Sequence, residues 1–246
     1  MGTEQDKLCE QLQEMTLNYD IRLSQDQTEQ LIDYLLYVLE RNKVINVTAI
    51  TNIEEAVILH LVDSLLFLPY ISAEDEFVDI GTGGGFPGVP LAICSGATGT
   101  LIDSVAKKVT VVSEGIERLG DQTHCSVQAI RAEELAKSRG ASFTRVVARA
   151  VAPCNVLLEY ASPLLCQGGR LVISKAPLSN EEWDQGLRAA ALVGMTFVSR
   201  ETYRLPKDMG TREIIVFMKD SEPDIKLPRR VGMARKRPLG IKECFT

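Results

Sequence analysis

The sequence lacks closely spaced cysteines, although it contains six of them. No two cysteines lie nearer than 12 positions apart. This spacing excludes the C-x-x-C pairs of zinc and redox sites, and it gives none of the short loops of a disulfide framework. We therefore expect reduced thiols, most of them small buried residues, and no bound metal.

Long apolar runs are also missing from the chain of 246 residues. No stretch approaches the roughly 20 apolar residues that a membrane-spanning helix needs. Glu4, Asp6, Glu10 and Glu14 stand where a secretory signal would have basic and then apolar residues. With 45% apolar residues, the chain is expected to be a globular protein of one large or two small domains that stays in the cytoplasm.

Charge is unevenly distributed along the chain. The sequence carries 27 basic and 33 acidic residues, but residues 226–242 contain seven basic residues and no acid. The remainder therefore has 20 basic against 33 acidic residues, a balance of −13. A basic tail on an acidic body is typical of an arm that contacts nucleic acid, and a solvated, frayed terminus is the alternative. The tail residues predicted to contact nucleic acid are Arg229, Arg230, Arg235, Lys236 and Arg237.

Residues 4–70 have the apolar periodicity of helices. Ser24 and Gln27 form a capping box in front of an apolar stripe, which predicts the start of a second helix. Asn52 is a favourable N-cap for a third helix, which is expected to run to about Leu68. We therefore predict an N-terminal helical region at residues 1–69.

From Glu76 onward, short β-rich runs alternate with helical stretches, which predicts an α/β fold with a mainly parallel sheet covered by helices on both faces. The runs 196–205 and 212–219 are joined by only six residues, too few for a parallel crossover, so we expect an antiparallel hairpin. This arrangement resembles the Rossmann-like fold of the class I S-adenosylmethionine-dependent methyltransferases. The expected division places that domain at 70–220 and the basic C-terminal tail at 221–246.

The strongest local signal is a glycine-rich loop that directly follows the strand expected at 77–80. Gly81, Gly83 and Gly85 permit positive φ and a close approach of the backbone to a ligand. Asp103 stands 22 positions after Gly81, at the end of the next strand, where a carboxylate can accept hydrogen bonds from both hydroxyls of a ribose. This order of elements predicts a nucleotide-binding site.

The nucleotide is expected to be S-adenosylmethionine rather than a dinucleotide. The G-x-G-x-x-G match at 83–88 begins three residues beyond the strand end, and the register that starts at Gly81 has Phe86 in place of the third glycine. Asp79 suits a cationic sulfonium group better than an anionic pyrophosphate, which it would repel. No Walker A lysine follows the glycines, which excludes a P-loop NTPase.

Seven motifs support a more specific assignment. They are Asn42-Lys43-x-x-Asn46-Val47-Thr48, His60-x-x-Asp63-Ser64-Leu65, Asp79-Ile80-Gly81-x-Gly83-x-Gly85-Phe86-Pro87-Gly88, Asp103-Ser104-x-x-Lys107-Lys108, Arg131-Ala132-Glu133-Glu134, Arg149-Ala150-Val151-Ala152 and Gly168-Gly169-Arg170-Leu171. In order and spacing, these motifs resemble those of the bacterial small-subunit rRNA guanine-N7 methyltransferases, the family also called glucose-inhibited division protein B. The resemblance runs from about Asn42 to the tail.

The resemblance implies that the chain transfers a methyl group from S-adenosylmethionine to N7 of a guanine in the decoding-region loop of 16S rRNA. Guanine N7 has an unprotonated lone pair at neutral pH, so we expect catalysis by positioning and no catalytic base or nucleophile. The expected partner is small-subunit rRNA or the ribosomal subunit, bound by a monomer. The cofactor contacts implied by the family are Gly81, Phe86, Ala132, Glu133 and Arg149. The RNA contacts expected outside the tail are Lys107, Lys175 and Arg212.

The sequence departs from the family pattern at three places. Arg41 stands where the family has a tryptophan, which could alter an aromatic contact to the core or to RNA. Ala176 replaces a glycine after Lys175, and residues 232–234 replace the usual G-x-P of the tail. Because of the last two departures, the RNA contacts of Lys175 and of the tail need not follow the family pattern.

Three polar residues on the predicted third helix need a separate interpretation. His60, Asp63 and Ser64 are spaced at i, i+3 and i+4, and they therefore share one helix face. One helix face cannot arrange a hydrolytic triad, and no G-x-S-x-G elbow accompanies them. They either join the N-terminal helices to the cofactor loop or, with Arg149, form a wall of a guanine pocket.

Two alternative functions stay open at this level. Cys154 lies after the fourth expected strand, where cytosine-C5 methyltransferases keep their nucleophile, although four residues separate the Pro153-Cys154 pair from that strand, an unfavourable spacing. A non-catalytic nucleotide-binding regulator or redox partner could use the same glycine loop. Cofactor selectivity distinguishes such a protein from a methyltransferase.

Overall fold

The structure is a computed structural model that describes residues 3–120 and 123–241. Its centre is a seven-stranded sheet with the order β3-β2-β1-β4-β5-β7-β6. The strands are β1 (Glu76–Ile80), β2 (Thr98–Asp103), β3 (Cys125–Ala129), β4 (Phe143–Arg149), β5 (Leu165–Lys175), β6 (Met195–Arg204) and β7 (Thr211–Lys219).

The first five strands are parallel, and β7 runs antiparallel between β5 and β6. This confirms the expected parallel sheet that ends in an antiparallel hairpin. Reversal of strand order beside β1 leaves a crevice at the carboxyl ends of β1 and β4, the place where open α/β sheets bind ligands.

Helices lie before the sheet, between its strands and after it. The second helix has the predicted capping box, in which the Ser24 side chain accepts a hydrogen bond from the backbone N–H of Gln27 and the Gln27 side chain accepts one from that of Ser24. Local sequence therefore fixes where this helix begins. The helices are α1 (Glu4–Leu17), α2 (Gln25–Asn42), α3 (Ile53–Ala56), α4 (Asp63–Leu65), α5 (Gly88–Ser95), α6 (Ala106–Leu119), α7 (Ala132–Arg139), α8 (Cys154–Ala161), α9 (Asn180–Leu192) and α10 (Met233–Lys236).

The third predicted helix is not regular. It begins after the expected N-cap Asn52, but a π-helical turn, Val57–Val62, separates α3 from α4. Its α-helical part ends at Leu65, three residues before the expected end, and a 3₁₀ turn at Leu68–Tyr70 follows. A π-turn changes the direction of the side chains that follow it, and such turns are frequent at functional sites.

Two hydrophobic clusters cover the two faces of the sheet. Because side chains alternate along a strand, Phe77 belongs to one cluster and Val78 to the other. Buried residues of α1 and α2, such as Leu12 and Leu35, lie in the same cluster as Phe77. The N-terminal helices thus share a core with the sheet, and the boundaries expected at residues 69 and 220 stay predictions. In the described ranges, no helix is long and apolar enough to cross a membrane.

Candidate cofactor and substrate sites

The glycine loop between β1 and α5 has the backbone that its sequence predicts. Gly81, Gly83 and Gly85 have φ of +71°, +61° and +87°, in the left-handed region where side chains are strained. A Cβ atom on Gly85 would lie 2.1 Å from the hydroxyl oxygen of Tyr34. That hydroxyl donates a 3.0 Å hydrogen bond to the Gly84 carbonyl, so Tyr34 of helix α2 holds the loop in place.

Asp79 lies beneath the loop rather than facing a cavity, contrary to its predicted role as a cofactor contact. Its carboxylate is fully buried, and Oδ2 accepts a 2.9 Å hydrogen bond from the backbone N–H of Gly88 at the start of α5. Alternation along β1 gives Asp79 the same face as Phe77, which explains this position. Burial raises the pKa of Asp79 to about 6, although the Gly88 N–H and the Arg149 charge favour the carboxylate. Asp79 therefore fixes the loop to α5.

A first cavity of about 260 Å³ lies at the carboxyl ends of β1, β2 and β3. Asp103 lines it as predicted. Its two oxygens accept hydrogen bonds from the backbone N–H groups of Gly83 at 3.1 Å and Val105 at 2.8 Å. Each carboxylate oxygen has a further lone pair, so the oriented group can still accept hydrogen bonds from ligand hydroxyls. The other predicted cofactor residues in this cavity are Gly81, Ala132 and Glu133.

The C-terminal tail forms part of this first cavity. Arg235 of α10 lines it, and the backbone N–H of Gly232 donates a 2.8 Å hydrogen bond to Oε1 of Glu133. The tail therefore packs against the first cavity. The sequence could not show the contact because 99 positions separate Gly232 from Glu133.

A second cavity of about 490 Å³ lies on the other side of the glycine loop. Gly81 and Ala150 line both cavities, so the two spaces meet at these residues. Ala150 has φ of +54°, a left-handed conformation that costs a non-glycine residue about 1–3 kcal/mol. The predicted site residues that line the second cavity are His60, Asp63, Gly81, Gly83, Phe86, Arg149, Lys175 and Arg212.

Asp63 is the centre of a buried charge cluster in the second cavity. Its Oδ2 accepts a 2.9 Å hydrogen bond from Nε of Arg212 and forms a 3.3 Å ion pair with Nη1 of Arg149. Its Oδ1 accepts a 3.3 Å hydrogen bond from the Ser174 hydroxyl. Nη1 of Arg149 also donates to the Leu59 carbonyl of the π-turn, at 2.5 Å. Two guanidinium groups share one carboxylate, so this cluster carries a net positive charge.

His60 is stacked on Phe86, with ring centroids 4.5 Å apart and an interplanar angle of 9°. Nη2 of Arg149 lies 3.4 Å from Nδ1, which assigns the proton to Nε2, and Nε2 then donates to the Thr48 hydroxyl at 2.9 Å. Burial, helped by the Arg149 charge, lowers the pKa of His60 to about 3. His60 is therefore neutral and both joins the helices to the loop and lines the cavity.

Ser64 and Cys154 do not line either cavity. The Ser64 hydroxyl is buried and donates to the carbonyl of His60, so its role is structural. Cys154 is fully buried at the start of α8 against Gly186 of α9, and burial raises the pKa of its thiol to about 12. A buried thiol that stays protonated is not a nucleophile, which contradicts the cytosine-C5 alternative.

Several residues predicted to contact RNA have protein partners instead. Lys175 pairs with Glu182, and Arg212 pairs with Asp63, although both side chains also line the second cavity. Arg229 forms an ion pair with the buried carboxylate of Glu159, so its guanidinium already has a protein partner, and its contact with RNA stays a prediction. The predicted RNA contacts that are exposed are Lys107, Arg230, Arg235, Lys236 and Arg237.

Sequence reasoning missed several cavity residues. Thr48 was within a recognised motif, and its place follows from Asn42, whose Oδ1 accepts hydrogen bonds from the backbone N–H groups of Val47 at 2.8 Å and Thr48 at 2.9 Å. Ala150 was also within a motif, but nothing in a sequence marks a left-handed alanine. The remaining missed residues of the first cavity include Lys108, Arg131, Val151 and Tyr160.

A glycine loop after β1, an oriented carboxylate at the end of β2 and a parallel sheet closed by an antiparallel hairpin define a class I S-adenosylmethionine-dependent methyltransferase. Solved structures agree on the fold. The 1,6-didemethyltoxoflavin-N1-methyltransferase of Burkholderia thailandensis superposes with a TM-score of 0.51 and 18% identity, covering 65% of this chain and 77% of that one. A methyltransferase from Methanosarcina mazei gives 0.52 and 16%, covering 63% and 96%.

The sequence comparisons are more specific. The family described as rRNA small subunit methyltransferase G matches residues 27–206. The chain is 36% identical over 237 residues to the ribosomal RNA small subunit methyltransferase G of Pelotomaculum thermopropionicum, covering 94% of this chain and 99% of the relative. It is 41% identical over 217 residues to that of Deinococcus radiodurans, covering 86% and 85%. The chain belongs to the rRNA small subunit methyltransferase G family.

Proposed function

We propose that this protein transfers a methyl group from S-adenosylmethionine to N7 of a guanine in the decoding-region loop of 16S rRNA. The observation that carries the proposal is the meeting of two chemically different cavities at Gly81 and Ala150. One cavity has the features of a nucleoside site, and the other is a buried, positively charged space beside the same loop. A cofactor that spans the glycine loop and an acceptor in the second cavity can thus meet.

The residues of both cavities fit S-adenosylmethionine. Asp103 would accept hydrogen bonds from the ribose hydroxyls, while Ala132 and Glu133 would contact the adenine. Arg149 and Phe86 lie in the second cavity, where the guanidinium would hold the methionine carboxylate. The Thr82 hydroxyl, buried beside Asp79, also lines the second cavity. When bound, the cofactor supplies an electrophilic methyl group on a sulfonium.

The groups in the second cavity suit an acceptor that needs no deprotonation. His60 has a pKa of about 3, and Asp63 is held by Arg149 and Arg212, so neither is poised to remove a proton near neutral pH. Guanine N7 attacks through a free lone pair. Holding N7 in line with the methyl group can contribute up to about 7–11 kcal/mol through restricted motion alone. The second cavity would therefore promote methyl transfer by holding the guanine in position.

The RNA substrate would contact the exposed basic residues beside the site. Arg230, Lys236 and Arg237 carry exposed charges on the tail, which reaches the first cavity through Arg235, and Lys107 lies on α6. Phosphate contacts of this kind position an RNA without reading its sequence. Because rRNA is methylated where ribosomes are made, the proposed activity is cytoplasmic. The expected monomeric state stays a prediction.

Product mapping tests the proposal directly. Small ribosomal subunits from a strain without the enzyme are incubated with the purified protein and S-adenosylmethionine, and the rRNA is then reduced and cleaved with aniline. We expect one new cleavage, at a guanosine of the decoding-region loop, and none with Asp103→Ala at limiting cofactor. A 5-methylpyrimidine product would contradict the proposal. Cofactor binding without turnover on any subunit preparation would favour a non-catalytic regulator.

A further inference from the structure

The C-terminal segment 229–240 is anchored to the methyltransferase core by several independent contacts. Arg229 pairs with the buried Glu159 and also donates to the Arg237 carbonyl at 2.9 Å, which closes the segment on itself. The carbonyl of Leu239 accepts a 2.8 Å hydrogen bond from the Asn155 side chain. Ala234 is fully buried in the core of the second sheet face. A segment with these contacts holds a fixed position on the domain.

The anchored segment brings a charged side chain to the cofactor cavity. Arg235 lines the first cavity, and its Nη2 donates a 2.9 Å hydrogen bond to the carbonyl of Val151, one residue after the left-handed Ala150. On the same segment, the Gly232 N–H holds the Glu133 carboxylate. Tyr160 completes this end of the cavity. Glu133, through its hydrogen bond, and Arg235, as part of the segment, are thus both held in place by the tail.

We infer that Arg235 contacts the bound cofactor and that the segment 229–240, besides carrying the exposed residues proposed to contact RNA, is a wall of the cofactor site. A guanidinium group fixed at one nitrogen can place its planar face against an aromatic base, and it interacts with the ring through its charge and its surface. The inference rests on the proposed placement of the adenosine in the first cavity.

This arrangement gives Arg235 a role different from those of its basic neighbours. Lys236 and Arg237 are adjacent in sequence and exposed, as Arg235 is, but unlike Arg235 neither lines a described cavity. Removal of their charge should change RNA affinity alone. Removal of Arg235 should weaken cofactor binding in the absence of RNA.

Calorimetric titration of S-adenosylhomocysteine into the full-length protein without RNA tests the inference. Arg235→Ala should weaken binding roughly 2- to 30-fold, the range expected for loss of a cation–π contact. Arg235→Lys should restore only part of the affinity because it keeps the charge but loses the planar group. Lys236→Ala is the matched control and should bind as the wild type does. Thermal unfolding of each variant without ligand confirms that the domain is folded.

Asp103→Ala separates failure of the inference from failure of the cofactor placement. If Asp103→Ala weakens binding and Arg235→Ala does not, Arg235 is no cofactor contact and the inference is overturned. If neither variant weakens binding, the placement of the adenosine in the first cavity is wrong and the inference is overturned with it. Equal weakening by Arg235→Ala and Lys236→Ala would point to a general charge effect and would also overturn it.

Discussion

Asp63→Asn is expected to destabilise the protein by leaving two guanidinium groups without their shared counter-charge. The side chains of Asp63, Arg149 and Arg212 are 4%, 12% and 20% exposed, so water compensates the loss only in part. Removing one partner of a buried ion pair costs about 3–5 kcal/mol. Asparagine keeps a hydrogen-bond acceptor and the shape of the side chain, so we expect a smaller loss than this, about 2–3 kcal/mol.

Urea unfolding followed by circular dichroism measures this change. The expected result is a lower midpoint with an unchanged slope, since the surface exposed on unfolding does not change. Glu54→Gln is the matched control, because it removes the carboxylate of an ion pair with Lys207 whose side chains are 60% and 47% exposed. Such a surface pair should contribute little. A wild-type midpoint for Asp63→Asn would refute the argument that this carboxylate holds both arginines.

Three further predictions concern the tail, the buried histidine and the buried thiol. Replacing Arg230, Lys236 and Arg237 by alanine should lower the salt dependence of RNA binding by about 2–3 logarithmic units per decade, at about 0.7–0.9 for each phosphate contact, and an unchanged slope in filter binding would return the tail to a purely structural role. The pKa of His60 is about 3 in the fold against 6.5 in the unfolded chain, so protons bind the unfolded state and stability should fall as pH decreases from about 6.5. The raised pKa of Asp79, about 6, has the opposite effect on stability, so the free energy of unfolding is compared between wild type and His60→Gln from pH 6 down to pH 4. For each pH unit of decrease, the wild type should lose about 1.4 kcal/mol more than the variant, and parallel curves would contradict a neutral His60. Cys154→Ser should retain methyl transfer, and loss of turnover in a stably folded Cys154→Ser protein would revive the nucleophilic alternative.

Local features of the fold could be predicted from the sequence because they depend on neighbours along the chain. The capping box at Ser24 and the N-cap at Asn52 need only residues three positions away. The short connection between β6 and β7 leaves only an antiparallel pairing. The same holds for the glycine loop, whose left-handed positions were placed correctly at Gly81, Gly83 and Gly85.

Contacts between distant parts of the chain could not be predicted from the sequence. Arg229 belongs to a basic tail whose composition is typical of RNA contacts, and only the fold shows that Glu159, 70 positions earlier, is its partner. The π-turn at Val57–Val62 has no sequence signature, although it directs the Leu59 carbonyl toward Arg149. Asp79 is different, because the alternation of β1 could have shown that it shares a face with Phe77. Charge patterns identify functional groups but do not show which of them are already paired.

The central claim is that one cofactor molecule spans both cavities across the glycine loop. The most direct measurement is a crystal structure of the protein with S-adenosylhomocysteine. We expect the ribose hydroxyls on the Asp103 carboxylate in the first cavity and the ligand carboxylate beside Arg149 in the second. A ligand held entirely in the first cavity, with Arg149 still bound only to Asp63, Leu59 and His60, would contradict it.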